Sequence, residues 1–398
     1  MKVLYLSHTA AVSGGERSLL DLLGALPPHI SPVVASPEGE LSGLVRAAAV
    51  DHEPVTGTAG SLQLHWHRTP RAVAEMLAAA RQVRRLVKRH RPDLVHANSI
   101  RAGIIAGLAP SRAGAPLVTH VRDVLPDRPA SRMSLRFVGA RSDALVANSR
   151  FTSNGNRLSE RCGRVEVVYS PVDVARFDPG RVDRAASRAS LGIGSSDLVL
   201  GVVGQITPWK GQLEAIEALG LLAARGMSAH LLVAGSTTFV DEATRYDNRA
   251  YLGRLERRTG ELGLGHRVHM LGQREDVPEV MAAMDILLVP SWEEPMGRTV
   301  LEGMAMERPV IATSVGGPAE LLVDGAHGRL LPPREPELWA DAVAELSGQP
   351  RLLREMGREG RAHVGRQYGL AASTGRLVDL YSSITQRPVH LSDRAPAR

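Results

Sequence analysis

Glu294 and Glu302 stand with seven residues between them in the run Glu294-Pro295-Met296-Gly297-Arg298-Thr299-Val300-Leu301-Glu302. The pattern places the first carboxylate in a loop and the second about a turn and a half into the helix that follows. Gly297, Arg298 and Thr299 open that helix. The first N–H groups of any helix lack intrahelical partners, and the macrodipole adds positive potential there, so such a start attracts phosphate. Two flanking carboxylates repel the anion itself but accept hydrogen bonds from hydroxyl groups. A phosphate seat between two hydroxyl acceptors suits a sugar nucleotide. Taken alone, two glutamates at this spacing are ordinary surface residues, so the reading depends on what surrounds them.

Further candidates follow the apolar runs. Leu198–Val203 ends in Gly204-Gln205-Ile206-Thr207-Pro208-Trp209-Lys210-Gly211. Lys210 is one of three lysines, with Lys2 and Lys88, in a chain that otherwise uses arginine. A compact ammonium suits a phosphate as a point charge. The run Val310–Ala312 leads to Gly316-Gly317, which permits either close backbone approach or a simple turn. Asp324-Gly325 and Gly328 read as a loop turn. Near the start, Ser7-His8 follows a short strand, and Gly14-Gly15-Glu16-Arg17 opens a helix as a second anion-seeking terminus. This is not the Gly-x-Gly-x-x-Gly dinucleotide fingerprint. His120 ends a strand and reads as a structural histidine or a site group.

His65-Trp66-His67 has no cysteine or acidic partner nearby, and no Asp-x-Asp occurs, so neither a metal nor a cofactor is expected. Cys162 is the single cysteine, which excludes an internal disulfide and fits a reducing compartment.

Elements positioning these residues alternate as short apolar strands and helices. The pattern predicts an α/β fold of parallel sheets with helices on both faces. A length of 398 residues favours two domains. The alternation breaks at 171–197 and restarts at Leu198. The expected division is therefore a domain over 1–172, a linker over 173–197, and a second domain over 198–370. A helix over 371–386 is expected to return to the first domain, before a polar tail over 387–398. Ligands of open parallel sheets sit beyond the carboxyl ends of the strands.

Net charge is +6 with 4% aromatic residues, which argues against stacking on single-stranded nucleic acid. No apolar run reaches the length of a membrane span, and the start is too short for a signal-peptide core, so a cytoplasmic protein is expected. A helix near 70–90 gathers Arg81, Arg84, Arg85, Lys88 and Arg89 on one side. That face reads as solvated, with peripheral contact to anionic lipid at the inner membrane face as the functional alternative.

Together these segments are familiar. Gly14–Arg17, Ala147-Asn148-Ser149-Arg150-Phe151, Ser170–Phe177, Gly204–Gly211, Leu232–Gly235, Pro290–Ala305 and Val310–Glu320 occur in the order and spacing of a known family. Over nearly its full length the chain resembles the retaining family-4 glycosyltransferases of the GT-B type. The resemblance implies two facing Rossmann-like domains with an interdomain cleft, the second holding a nucleoside-diphosphate sugar, most commonly of UDP. By this likeness Lys210 grips the diphosphate, Glu294 accepts from the donor sugar and Glu302 from the ribose. Amides of Gly297, Arg298 and Thr299 complete the phosphate seat, Gly14 and Gly15 close over it, and His120 contacts the sugar. Gln205 stands where many members have arginine, with Arg298 or Arg274 as substitutes, and Met296 replaces a frequent phenylalanine. The implied activity is metal-independent transfer of a hexose with retention to an acceptor: a saccharide, lipid carrier or small metabolite chosen by loops 57–70 and 122–135. The alternatives are a sugar-nucleotide epimerase on the same fold and a basic module binding nucleic acid or lipid.

Overall fold

The computed structural model describes residues 1–58, 69–109, 115–237 and 246–385. His65-Trp66-His67, most of the 57–70 loop and the tail 387–398 lie outside the described residues. The chain forms two compact units, Met1–Pro171 with Leu370–Arg398, and Val172–Gly369.

Seven strands build the first unit: β1 (Lys2–Leu6), β2 (Ser31–Ser36), β3 (Asp51–Pro54), β4 (Leu94–Ala97), β5 (Leu117–Val121), β6 (Ala144–Ala147) and β7 (Val165–Val167). They pair in parallel in the order β3-β2-β1-β4-β5-β6-β7. The strand order reverses between β1 and β4. Because β1 is apolar at every position after Lys2, it feeds two cores at once. Val3 and Tyr5 join one buried cluster, Leu4 and Leu6 the other. Helices α1 (Gly14–Gly24) and α2 (Glu40–Ala47) cover the first face. Helices α3 (Thr69–His90) and α4 (Ile100–Leu108) cover the second through Ala79, Ala80, Val83, Leu86, Val87, Ala102 and Ile105. Arg81, Arg84, Arg85, Lys88 and Arg89 are exposed, and Arg89 meets Glu53 at 3.1 Å. Helices α5 (Pro129–Arg141) and α6 (Arg150–Gly155) follow β5 and β6.

The second unit opens with α7 (Arg184–Ser190). Its strands are β8 (Leu198–Val203), β9 (Ala229–Ala234), β10 (Val268–Gly272), β11 (Ile286–Val289), β12 (Val310–Thr313) and β13 (Gly328–Leu331). They too run parallel, in the order β10-β9-β8-β11-β12-β13, with the reversal between β8 and β11. The helices are α8 (Gln212–Ala224), α9 (Asn248–Glu261), α10 (Val277–Ala283), α11 (Arg298–Ala305), α12 (Pro318–Leu321), α13 (Pro336–Ser347) and α14 (Pro350–Gln367). Gly328, expected in a loop turn, instead begins an edge strand paired to Val310.

The segment 173–197, expected as a linker, belongs to the second unit. Arg188 is buried there and donates to Asp285 at 2.7 Å and to the carbonyls of Ala283, Gly194, Ser195 and Asp197. Asp285 also accepts from Arg184 at 2.6 Å and from the Val199 amide at 2.8 Å. One carboxylate thus fastens the segment to the start of β8.

Helix α15 (Leu370–Thr385) belongs to the first unit. Its residues Leu377, Val378, Leu380 and Tyr381 are buried in the same cluster as Val3 and Tyr5. Among the described residues no helix is long and apolar enough to cross a membrane.

Candidate functional site

In the second unit, the loop after β8 carries Lys210 and the loop after β11 carries Glu294. These two strands flank the reversal of strand order, where open parallel sheets bind ligands. The ammonium of Lys210 donates to Glu294 Oε2 at 2.6 Å, and the Ser291 hydroxyl donates to the same oxygen at 2.9 Å. Both side chains of the ion pair are largely buried, at 18% and 8% exposure. Beneath the ammonium lies the Trp209 ring, 4.3 Å from its centroid to Nζ, a distance at which the ring quadrupole attracts the cation.

Backbone bonds hold the two loops together. The Trp292 amide donates to the Trp209 carbonyl at 2.8 Å, and the Trp292 indole donates to Glu214 at 2.6 Å. Gly211 adopts φ +74° directly after Lys210, and a Cβ there would lie 2.0 Å from the Pro290 carbonyl oxygen. Only glycine lets these loops approach so closely.

A third loop, after β12, braces Glu294 from the other side. The Glu294 amide donates to Val315 O at 3.2 Å and its carbonyl accepts from Gly317 at 2.8 Å. At φ +106° a Cβ on Gly316 would stand 2.1 Å from the Glu294 carbonyl oxygen. The paired glycines are therefore needed for the backbone of the Glu294 loop to pass.

Glu294-Pro295-Met296 leads into α11, whose N-cap is Gly297 in the left-handed region. Arg298 and Thr299 form its first turn, and Met296 is buried. Glu302 is 8% exposed and accepts from Arg298 Nε at 2.7 Å, one helical turn back. Arg298, considered from the sequence as a diphosphate cation, is thus fastened to the second glutamate. Arg274, the other substitute, follows edge strand β10, two strands from β8, and pairs with Asp276. Gln205 sits in the loop between β8 and Lys210, and its carbonyl accepts from the Gln212 amide group at 2.8 Å. Ser291, Trp209 and Trp292 are the site residues that sequence reasoning passed over. Their signal is position, since each neighbours Lys210 or lies within three residues of Glu294.

The remaining candidates lie in the first unit. Gly14 and Gly15 open α1, where Glu16 accepts from the Ser13 amide at 3.3 Å and hydroxyl at 2.5 Å. The Gly15 carbonyl accepts from Asn98 Nδ2 at 3.3 Å, and Asn98 Oδ1 accepts from Arg122 at 2.6 Å. His120, in β5, is buried, and neither ring nitrogen has a hydrogen-bond partner. Burial first, then Arg122 and His96, push its pKa well below the ordinary 6.5. A neutral imidazole with both nitrogens unmatched offers one donor and one acceptor. His96, with its ring 5.6 Å away, is held down to about 3 by burial and Arg122, and its Nδ1 lies 2.6 Å from the Tyr381 hydroxyl. No group of three or more His, Cys, Asp or Glu side chains suited to a metal ion occurs among the described residues.

Two family models match the chain. "Glycosyltransferase Family 4" covers residues 12–176 and "Glycosyl transferases group 1" covers residues 183–363. A D-inositol 3-phosphate glycosyltransferase of Mycolicibacterium gilvum is 31% identical over 271 residues, 64% of this chain and 58% of that protein. The match thus spans less than two thirds of that relative's length. D-inositol 3-phosphate glycosyltransferase 2 of Catenulispora acidiphila is 31% identical over 73% of this chain and 70% of its own length. Among solved structures, HepE of Anabaena in complex with UDP-glucose superposes with a TM-score of 0.83 at 23% identity, covering 96% of this chain and all of that one. Sucrose-phosphate synthase of Thermosynechococcus elongatus gives 0.76 at 19%, covering 97% and 100%. These likenesses carry the fold, which is GT-B.

Proposed function

The chain belongs to the family-4 glycosyltransferases, and from that premise we propose that it moves a hexose from a nucleoside diphosphate, UDP first, to an acceptor hydroxyl with retention at the anomeric carbon and without a metal. The observation that carries this reading is the buried Lys210–Glu294 pair beside the start of α11, at the strand reversal of the second unit. An entering diphosphate competes for the Lys210 ammonium, while Glu294 turns its freed oxygen to a sugar hydroxyl. The α11 start and Lys210 supply fixed positive potential to the leaving diphosphate, and such preorganisation is often the largest catalytic contribution. Glu302 accepts from the ribose, with its second partner Arg298 holding its orientation. His120 is held neutral by burial, so it can offer hydrogen bonds but no charge.

In the transfer, the bond from the anomeric carbon to the diphosphate oxygen breaks as the acceptor oxygen bonds on the same face. The acceptor's hydroxyl proton passes to the departing diphosphate oxygen, so no protein nucleophile is required. The acceptor is a polyol or saccharide, and the names of the relatives favour a small phosphorylated polyol over a long chain.

The test is incubation of the purified chain with UDP-glucose and other sugar nucleotides, with and without candidate acceptors. Released UDP is quantified, and the anomeric configuration of the product is read by NMR. Acceptor-dependent UDP release with a retained anomer supports the proposal. An isomerised sugar nucleotide formed from donor alone would instead make the protein an epimerase.

A further inference from the structure

A stripe of polar groups crosses the face of the first sheet that α15 covers. Tyr5 of β1 stands opposite His96 of β4 in the strand register, and His96 stands opposite Val118 of β5. His120 follows Val118 by two residues, so it lies on the same face. Tyr381 of α15 brings its hydroxyl to 2.6 Å from His96 Nδ1 and to 3.5 Å from the Tyr5 hydroxyl. The His96 ring centre lies 5.4 Å from that of Tyr5 and 5.6 Å from that of His120. All four side chains are buried, where polar atoms are expected to be partnered. Among the described residues, however, His96 Nε2 and both ring nitrogens of His120 have no partner.

The 2.6 Å contact decides where the hydrogen of His96 sits. A phenol O–H is the better donor of the pair and a neutral imidazole nitrogen the better acceptor, so Tyr381 donates and Nδ1 accepts. The reverse arrangement would leave the Tyr381 hydrogen only the Tyr5 oxygen, at 3.5 Å, well beyond the usual O–H···O range. Neither imidazole takes a second proton near neutral pH, because burial first and then Arg122 hold both well below 6.5. With Nδ1 accepting, the single hydrogen of His96 is on Nε2. Beside it lies His120, the other imidazole with unmatched nitrogens. Rings with centres 5.6 Å apart are joined nitrogen to nitrogen by a small rotation or by one water. A neutral histidine that accepts on one nitrogen carries its hydrogen on the other. His120 is thereby left with an N–H, rather than a lone pair, for a ligand.

We propose that Tyr381 is a positioning residue: its hydroxyl fixes the tautomer of His96 and, through His96 Nε2, makes His120 a hydrogen-bond donor toward a bound ligand. That the ligand is the donor sugar rests on the transferase reading; the fixed tautomers do not. A Tyr381 that only packed against the sheet would act through its ring, and its oxygen would be dispensable.

The experiment uses Tyr381→Phe, which keeps the ring and removes the oxygen, in the full chain with isotopically labelled histidine nitrogens. NMR signals of His96 and His120 are identified by their loss in His96→Gln and His120→Ala. Wild-type His96 should show a bare Nδ1 and a protonated Nε2, and His120 a single tautomer. In Tyr381→Phe both histidines should become mixtures of tautomers. The kinetic arm follows acceptor-dependent UDP release. Tyr381→Phe should lower kcat by about tenfold, as loss of one oriented hydrogen bond implies, and leave KM for the donor within about twofold. In a His120→Ala background the same substitution should cost less than about twofold, because its path is already cut. His96→Gln keeps an N–H that does not depend on Tyr381, so it should be several-fold more active than His96→Ala. Should Tyr381→Phe not fold, the wild-type tautomers and that comparison carry the test. A hydrogen on His96 Nδ1, a His120 tautomer that Tyr381→Phe leaves unchanged, equal activity of His96→Gln and His96→Ala, or losses from Tyr381→Phe and His120→Ala that multiply in full would overturn the proposal. The stated tautomers in a chain that releases UDP from no donor sink the transferase reading and leave the role of Tyr381 standing.

Discussion

Lys210→Ala separates two consequences of one ion pair. Lys210 is the only lysine of the second unit, so no other ammonium can replace it. As a preorganised donor to the leaving diphosphate, its loss should cost about 2–4 kcal/mol of transition-state stabilisation, roughly 30- to 1000-fold in kcat/KM. Stability changes too, because Glu294 keeps Ser291 as a donor but loses its counter-ion at 2.6 Å. Breaking a fully buried pair costs about 3–5 kcal/mol. Solvent still reaches the lysine, which is 18% exposed, so a smaller loss of about 1–3 kcal/mol is expected. Lys210→Met keeps the aliphatic stem over Trp209 and removes only the charge, so it should match Lys210→Ala in rate. Both variants are assayed for UDP release under kcat/KM conditions, with urea unfolding of the same preparations. A folded variant turning over within about threefold of wild type would refute the reasoning, since that leaves less than about 1 kcal/mol for the ammonium.

Glu302→Ala should weaken UDP binding by about tenfold, measured by calorimetry, and equal affinity would remove the residue from ribose binding. Gly316→Ala forces a Cβ to within 2.1 Å of the Glu294 carbonyl oxygen at a positive φ, so the second unit should lose about 1–3 kcal/mol in urea unfolding; an unchanged midpoint would show that the loop yields freely. Arg188→Met leaves Asp285 with one of its two cations and strips donors from four carbonyls, and should cost about 3–5 kcal/mol by the same measurement. Burial lowers His8 and His96 to about 3 and His120 well below 6.5, so the unfolded chain binds protons that the folded one refuses. Their effect is therefore absent above about pH 6.5, and stability should fall as the pH drops from there toward about 3. The slope is up to about 1.4 kcal/mol per pH unit for each histidine. Urea midpoints at pH 7 and pH 5 test this, and equal values would contradict the burial argument.

Much of the fold was legible because strands buried on both faces read as short apolar runs. Leu198–Val203, Ala229–Ala234 and Ile286–Val289 coincide with β8, β9 and β11. The edge strands β3 and β7 escaped that reading. Asp51-His52-Glu53-Pro54 and Val165-Glu166-Val167 are held by pairing on one side only, so their sequences need not be apolar. The 173–197 segment looked like a linker because it is rich in Arg, Asp and Ser. Those same polar groups bind it, since Arg184 and Arg188 reach Asp285 about 100 residues away, a partnership that no local pattern reveals. At the candidate site, residue types and loop positions could be read, but partners could not. The fastening of Arg298 to Glu302 and of Arg274 to Asp276 depends on rotamers, and the contact of Tyr381 with His96 spans 285 residues.

That last contact bears on how the molecule is made. During vectorial synthesis the stretch from Val172 to Gly369 can complete its own sheet before Tyr381 has left the ribosome. The seven-stranded half, although translated earlier, must wait with His96 unpartnered by Tyr381 and the Val3–Tyr5 face covered only by α1 and α2 until α15 emerges. A nonsense mutation near codon 370 would therefore spare the later-encoded half and cripple the half whose other residues were all already present.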